Sequence, residues 1–202
     1  MPTPDSALVY PGTCMFEGTS MSEGRGTTRP FEVSYFLPLF RPLSHTTANI
    51  HQLLGAPFAN ETWTAALRSQ SIPHTSYRTA CFNPTISKFA DQTACGVQTY
   101  VSLPKSHHHY GPDNQDDVFD PVFMGINLLW TAKRLYTNAS SVSDEDGFTW
   151  LESGGKYTID TLTGGTLVRE GIEMGLEPGE IREMWMEGLE EFKEKRERYL
   201  LY

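Results

Sequence analysis

From Tyr10 to Glu32 the sequence reads Y-P-G-T-C-M-F-E-G-T-S-M-S-E-G-R-G-T-T-R-P-F-E, and chemistry-bearing side chains are concentrated there. Glu17 and Glu23 are carboxylates of the kind used for general acid and base work. Arg25 can grip a carboxylate at two points through its planar guanidinium. Thr19, Ser22 and Thr27 offer hydroxyls to a ligand, and Gly18, Gly24 and Gly26 let backbone approach one closely. The competing reading is structural, with Glu17 paired to Arg25 or Arg29 merely to fix the loop. Asn83 and Thr85 flank an Asn-Pro turn start and could face the same cleft, although such residues more often close turns through side-chain to backbone bonds. Tyr10 offers a ring for stacking, while a core or strand tyrosine is the commoner role. Cys14 has no histidine near it in sequence and reads as a small buried cysteine. His107, His108 and His109 are consecutive in a Pro/Gly loop and do not supply the converging, supported ligands that a metal needs. No metal site and no cofactor is expected.

These residues need elements to hold them. Leu8-Val9-Tyr10, stopped by Pro11-Gly12, reads as a short strand entering a long Gly-rich loop, with a further strand up to residue 36. Residues 61–70 read as a helix with Trp63, Ala66 and Leu67 on one face. Residues 77–89 read as extended and then turning, and the alternation of Val97, Thr99 and Val101 with Gln98 and Tyr100 suits a strand. Asp120 as N-cap and Pro121 at the first position open a well-buried helix to about Tyr136. Residues 104–120 and 137–147 read as surface loops. A short helix from Gly165 to Met174 closes at Gly175. A last helix at about 179–198 carries the stripe Ile181, Met184, Trp185, Leu189 and Phe192, expected to be core, and the apolar end Tyr199 to Tyr202 is expected to dock on that core. The fold class expected is α/β, with α+β as the alternative: one domain with a mixed sheet flanked by helices.

Bulk properties narrow the function. The 202 residues suit one good-sized domain, and a net charge of −9 argues against a nucleic-acid binder or an anionic membrane surface as partner. Three cysteines allow at most one disulfide and leave the compartment undecided. Asn60 and Asn138 begin glycosylation triplets, which arise often by chance. No apolar run is long enough for a membrane span. Residues 1–7 lack the basic-then-apolar pattern of a signal peptide.

The Tyr10–Glu32 segment resembles the opening of the C-terminal domain of the exo-β-N-acetylmuramidases (glycoside hydrolase family 171). Further stretches match in order: G-A-P-F at 55–58, F-N-P-T-I-S-K-F with C-G-V-Q within 82–98, I-D-T-L-T-G at 159–164, and the terminal R-x-x-Y-L-L-Y. The resemblance implies an enzyme that removes N-acetylmuramic acid from the non-reducing end of peptidoglycan fragments, often exported. It implies a substrate cleft between this domain and an N-terminal Rossmann-like domain, which holds the main catalytic carboxylate. Glu17 would then be the catalytic candidate here. Thr19, Glu23, Arg25, Thr27, Asn83 and Thr85 would be substrate-binding, with Arg25 on the lactyl carboxylate of muramic acid. Met1-Pro2-Thr3-Pro4 resembles the end of the family's proline-rich connector. Residues 1–7 are therefore expected to be a connector remnant and residues 8–202 the C-terminal domain, inactive alone. Alternatives are a non-catalytic module binding peptidoglycan fragments or another protein, and a truncated gene product. The family runs almost directly from P-F-E to G-A-P, so residues 33–52 are expected to be an insertion. Val33-Ser34, Ala48-Asn49 and Gln52 can be encoded by splice-signal codons, which suggests a retained intron.

Overall fold

A computed structural model of the chain describes residues 4–27, 50–102, 119–137 and 147–200. The three-histidine run, Arg29, the Asn138 triplet, and most of the 33–52 segment and of the two expected surface loops lie outside the described residues.

Helices and strands share one domain, as the sequence indicates. Strands β1 (Ile50–Ala56), β2 (Thr75–Phe82) and β3 (Ala94–Val101) form a sheet in the order β1-β3-β2. Both pairings are antiparallel, rather than mixed as expected. The helices are α1 (Pro4–Thr13), α2 (Glu61–Gln70), α3 (Pro121–Tyr136), α4 (Thr158–Thr163), α5 (Leu167–Glu173) and α6 (Pro178–Glu197). Strands β4 (Glu152–Ser153) and β5 (Lys156–Tyr157) make a small hairpin turned by Gly154 and Gly155, both at positive φ.

The core lies between one face of the sheet and α2 and α3. Leu54, Ala56, Val97 and Val101 meet Trp63 and Leu67 of α2 and the buried side of α3, which carries Met124, Ile126, Leu128, Leu129 and Ala132. Both helices start as their caps dictate: Asn60 Oδ1 accepts from Thr62 N at 2.9 Å, and Asp120 Oδ1 accepts from Phe123 N at 2.9 Å. Asn60, the other glycosylation triplet, thus caps α2 on an exposed surface.

Three further expectations need correction. Residues 8–10 form helix, not strand. Their β-branched and aromatic character is overridden by packing of α1 on α3, where Gly12 and Gly125 meet so closely that a Cβ on Gly12 would lie 1.8 Å from Pro121 O. Helix α4 and the β4–β5 hairpin were not anticipated. Of the α6 stripe only Ile181 is fully buried: Phe192 is 56% and Met184 50% exposed. Tyr199 and Leu200 are exposed instead of docked. Helical periodicity marks an apolar face, but not what covers it.

Candidate functional site

The segment after α1 is a 3-10 turn, Cys14–Gly18, followed by an irregular stretch to Thr27 that three parts of the chain hold in place. Ser20 N donates to Thr149 O at 2.9 Å, and Leu151 N to Gly18 O at 2.9 Å. Ser22 pairs with Gly55 in both directions, at 2.8 and 3.1 Å, and so extends the sheet beyond β1. Gly26 O accepts from both the amide and the hydroxyl of Thr85, each at 2.8 Å. Gly26 has φ +79°, and a Cβ there would lie 2.5 Å from Ile86 N, so no other residue fits this contact.

This arrangement brings the charged residues together. Arg25 bridges two carboxylates: its Nη2 lies 2.9 Å from Glu17 Oε2, and its Nε donates to Glu23 Oε1 at 2.8 Å. The other Glu23 oxygen takes Lys88 Nζ at 2.9 Å. Lys88 Nζ also donates to Phe16 O and Met21 O, each at 2.9 Å, so all three of its protons are used. The Glu23 side chain is 3% exposed, Glu17 27% and Arg25 42%. The network therefore grades from a buried Glu23–Lys88 anchor to an open Glu17–Arg25 mouth. Burial pulls the Lys88 ammonium below the usual lysine range, and the Glu23 charge only partly restores it. At Arg25 burial lowers the pKa, but the charges of Glu17 and Glu23 together outweigh it and hold the guanidinium more firmly protonated than usual.

The remaining candidates are placed as follows. Tyr10 stands on α1, neither in a strand nor in the core, and its hydroxyl donates to Glu17 Oε1 at 3.4 Å. Burial, then the Glu17 charge, raises its pKa. The Cys14 thiol is half-buried and donates to Pro11 O. Burial and Glu17 raise its pKa, the opposite of what a nucleophilic thiolate needs. Thr19 is fully buried; its hydroxyl donates to Phe16 O at 2.9 Å and accepts from Met21 N at 3.2 Å. Ser22 Oγ accepts from Gly24 N, and Thr27 Oγ1 donates to Gly24 O at 2.7 Å. Asn83 is exposed beside Thr85.

Lys88 is the functional-site residue that sequence reasoning missed, although it stands inside the F-N-P-T-I-S-K-F stretch. Nothing in a polar loop marks one lysine for burial. Its loop has unusual backbone: Ser87, Phe89 and Asp91 all have positive φ, at 71°, 59° and 61°. Each such residue costs roughly 1–3 kcal/mol and persists only where its surroundings over-determine it. Lys88 supplies one constraint. Another is the disulfide Cys81–Cys95, which joins directly opposed residues of β2 and β3 and closes the base of the loop. Among the described residues no group of three or more His, Cys, Asp or Glu could hold a metal ion, and no helix is long and apolar enough to cross a membrane.

With this geometry in view, comparison with known proteins is specific. The family model for "Exo-beta-N-acetylmuramidase NamZ, C-terminal" matches residues 8–35 and 45–202, breaking inside the 33–52 segment. The chain is 32% identical to the peptidoglycan beta-N-acetylmuramidase NamZ of Bacillus subtilis (strain 168) over 203 aligned positions, which cover all of this chain and 39% of that protein. A DUF1343 family protein of Bacteroides fragilis, known from its crystal structure, has the same fold. Its TM-score is 0.66 at 17% identity, over all of this chain and 43% of that one. The chain thus spans less than half the length of either relative.

Proposed function

The chain belongs to the exo-β-N-acetylmuramidase NamZ C-terminal family, and from that premise we propose that it forms one wall of the cleft in which a peptidoglycan β-N-acetylmuramidase hydrolyses terminal non-reducing N-acetylmuramic acid. The observation that carries this reading is the graded network: a guanidinium and a carboxylate at an open mouth, held from behind by a buried ion pair. Rigid support of this kind keeps polar groups in place for a ligand. Glu17 and Arg25 are the groups that face substrate, with Arg25 toward the lactyl carboxylate. Glu23, Thr19 and Thr27 hold that wall in position, and Asn83 and Thr85 form its rim. The opposite wall and the main catalytic carboxylate come from an N-terminal Rossmann-like domain. Paired carboxyl groups on the two sides of the glycosidic bond are the usual requirement of this chemistry, and a lone wall does not turn over substrate. We take the 33–52 segment, within which the family match breaks between residues 35 and 45, as an insertion that this function does not use.

The test is hydrolysis of a chromogenic N-acetylmuramic acid glycoside. The chain alone should show no turnover. Joined to the part of the Bacillus subtilis relative that it does not cover, it should gain turnover, and Glu17→Gln in that fusion should lower kcat/KM. Turnover by the isolated chain would contradict the two-walled reading.

A further inference from the structure

The face of the sheet turned away from the core carries a second arrangement of polar groups. Leu53, Gln98 and Arg78 stand directly opposite one another across β1, β3 and β2. Gly24 abuts this row at the β1 edge, since a Cβ on it would lie 3.8 Å from Leu53 Cβ. From Leu53 the row runs two strand spacings, about 10 Å, across the sheet to Arg78, and Gly24, of the segment that carries Glu23 and Arg25, stands beside its β1 end.

Arg78 is held without being neutralised. Its Nε donates to Gln98 Oε1, and its guanidinium carbon lies 5.6 Å from the centre of the Tyr100 ring. Tyr100 OH also donates to Gln98 Oε1, at 3.1 Å. Gln98 itself is buried, with 1% exposure, so the acceptor that orients the guanidinium is fixed. Arg25, Arg169 and Arg182 each lie against at least one carboxylate. Arg78 has none among the described residues, although the chain carries 25 acidic residues against 16 basic ones. An exposed guanidinium that is oriented by a neutral amide and an aromatic ring keeps its full charge and its outer N–H fork for an incoming anion.

We propose that Arg78, oriented by Gln98 and Tyr100, binds a carboxylate of an acidic glycan fragment whose terminal sugar lies at the Glu17–Arg25 corner. This rests on the proposed function for the ligand class. The carboxylate comes either from the lactyl group of a second muramic acid or from a peptide stem.

The test follows the Arg78 Nε–H and the Gln98 side-chain amide by NMR in the full chain. The probes are D-lactate, N-acetylmuramic acid, N-acetylmuramoyl-L-alanyl-D-glutamate and their methyl esters, with N-acetylglucosamine as the carboxylate-free control. D-lactate should saturate at Arg78, and Arg78→Gln should abolish the response. At least one muramoyl acid should bind about 10-fold or more tighter than its ester. Arg78→Gln should bring that ratio to about one with the ester's affinity unchanged, and Arg78→Lys should retain part of it. Discrimination with N-acetylmuramic acid assigns the lactyl group, and discrimination with the dipeptide alone assigns the stem. An acid-to-ester preference that survives Arg78→Gln, or carboxylate binding that leaves Arg78 unmoved, overturns the proposal. If D-lactate saturates at Arg78 while no sugar binds, the glycan assignment is overturned and only an anion site remains, and the muramidase reading is decided separately by turnover of the fusion.

Discussion

Gly26 and Gly164 have nearly the same positive φ, 79° and 78°, but opposite surroundings. Around Gly26 the backbone of Thr85 and Ile86 lies within 3 Å of where a Cβ would stand; around Gly164 nothing lies within 4 Å. The same contrast separates the two regions these glycines belong to. In the Glu17–Lys88 corner, interactions join distant parts of the chain, as when Lys88 binds Phe16 O across 72 residues. Around the Arg169 clamp they join neighbours: Arg169 grips Asp160, nine residues away, with two bonds of 2.9 Å and stacks on Tyr157 at 4.3 Å. That clamp fastens α4 to α5, while Ile159 of the same I-D-T-L-T-G motif packs on Gly18 of the 3-10 turn, where a Cβ would lie 2.7 Å from Ile159 N. The corner instead combines long-range anchoring, left-handed backbone and an open charged mouth, which is the pattern of a site rather than of a helix contact.

The largest effect should come from the two glycines themselves. Gly26→Ala should destabilise the fold by about 4 kcal/mol, through both backbone strain and overlap. Gly164→Ala should cost only about 1 kcal/mol, the left-handed penalty alone. Chemical denaturation measures both, and equal costs would erase the contrast. Next, Lys88→Met leaves the Glu23 carboxylate buried without its ammonium partner and should cost about 3 kcal/mol. The same change at exposed Lys156 should cost almost nothing.

A third effect depends on pH. Burial pushes Tyr77 of β2 up to about 12. The unfolded tyrosine titrates near 10, so the folded state holds the proton more tightly. Its contribution is complete below pH 10 and is lost as pH rises from about 10 to 12, by about 2–3 kcal/mol. Stability measured across this window should fall in the native protein and fall less in Tyr77→Phe. The smallest effect should be on α6, where Phe192→Ser should change stability by less than about 0.5 kcal/mol. A large loss there would mean that the exposed stripe is packed after all.

The two regions also differ in how far they could be read from sequence. Helices α2 and α3 were legible, because Asn60, Asp120 and Pro121 are local signals that act locally. Helix α1 was not, because its formation depends on Gly12 meeting Gly125, a contact made far along the chain. For α6 the apolar stripe was visible and its burial was not. At the site, the motif names Glu17, Glu23 and Arg25, and a Glu17 pairing with Arg25 or Arg29 is legible in it, whereas the pairing of Glu23 is not. Lys88 could not, since its burial is created by three acceptors that only folding brings together. The Cys81–Cys95 pairing was likewise open, because three cysteines permit three pairs. Such a bond persists where thiols are kept oxidised.

The most direct measurement is backbone-amide mapping of the isolated chain during titration with N-acetylmuramic acid, in the native protein and in Arg25→Ala. Shifts should concentrate at residues 16–27 and 85–88, saturate together, and weaken by about 10-fold or more in the variant. Saturable binding that leaves those amides unmoved, or that Arg25→Ala does not weaken, would contradict the assignment of this corner as the sugar-binding wall.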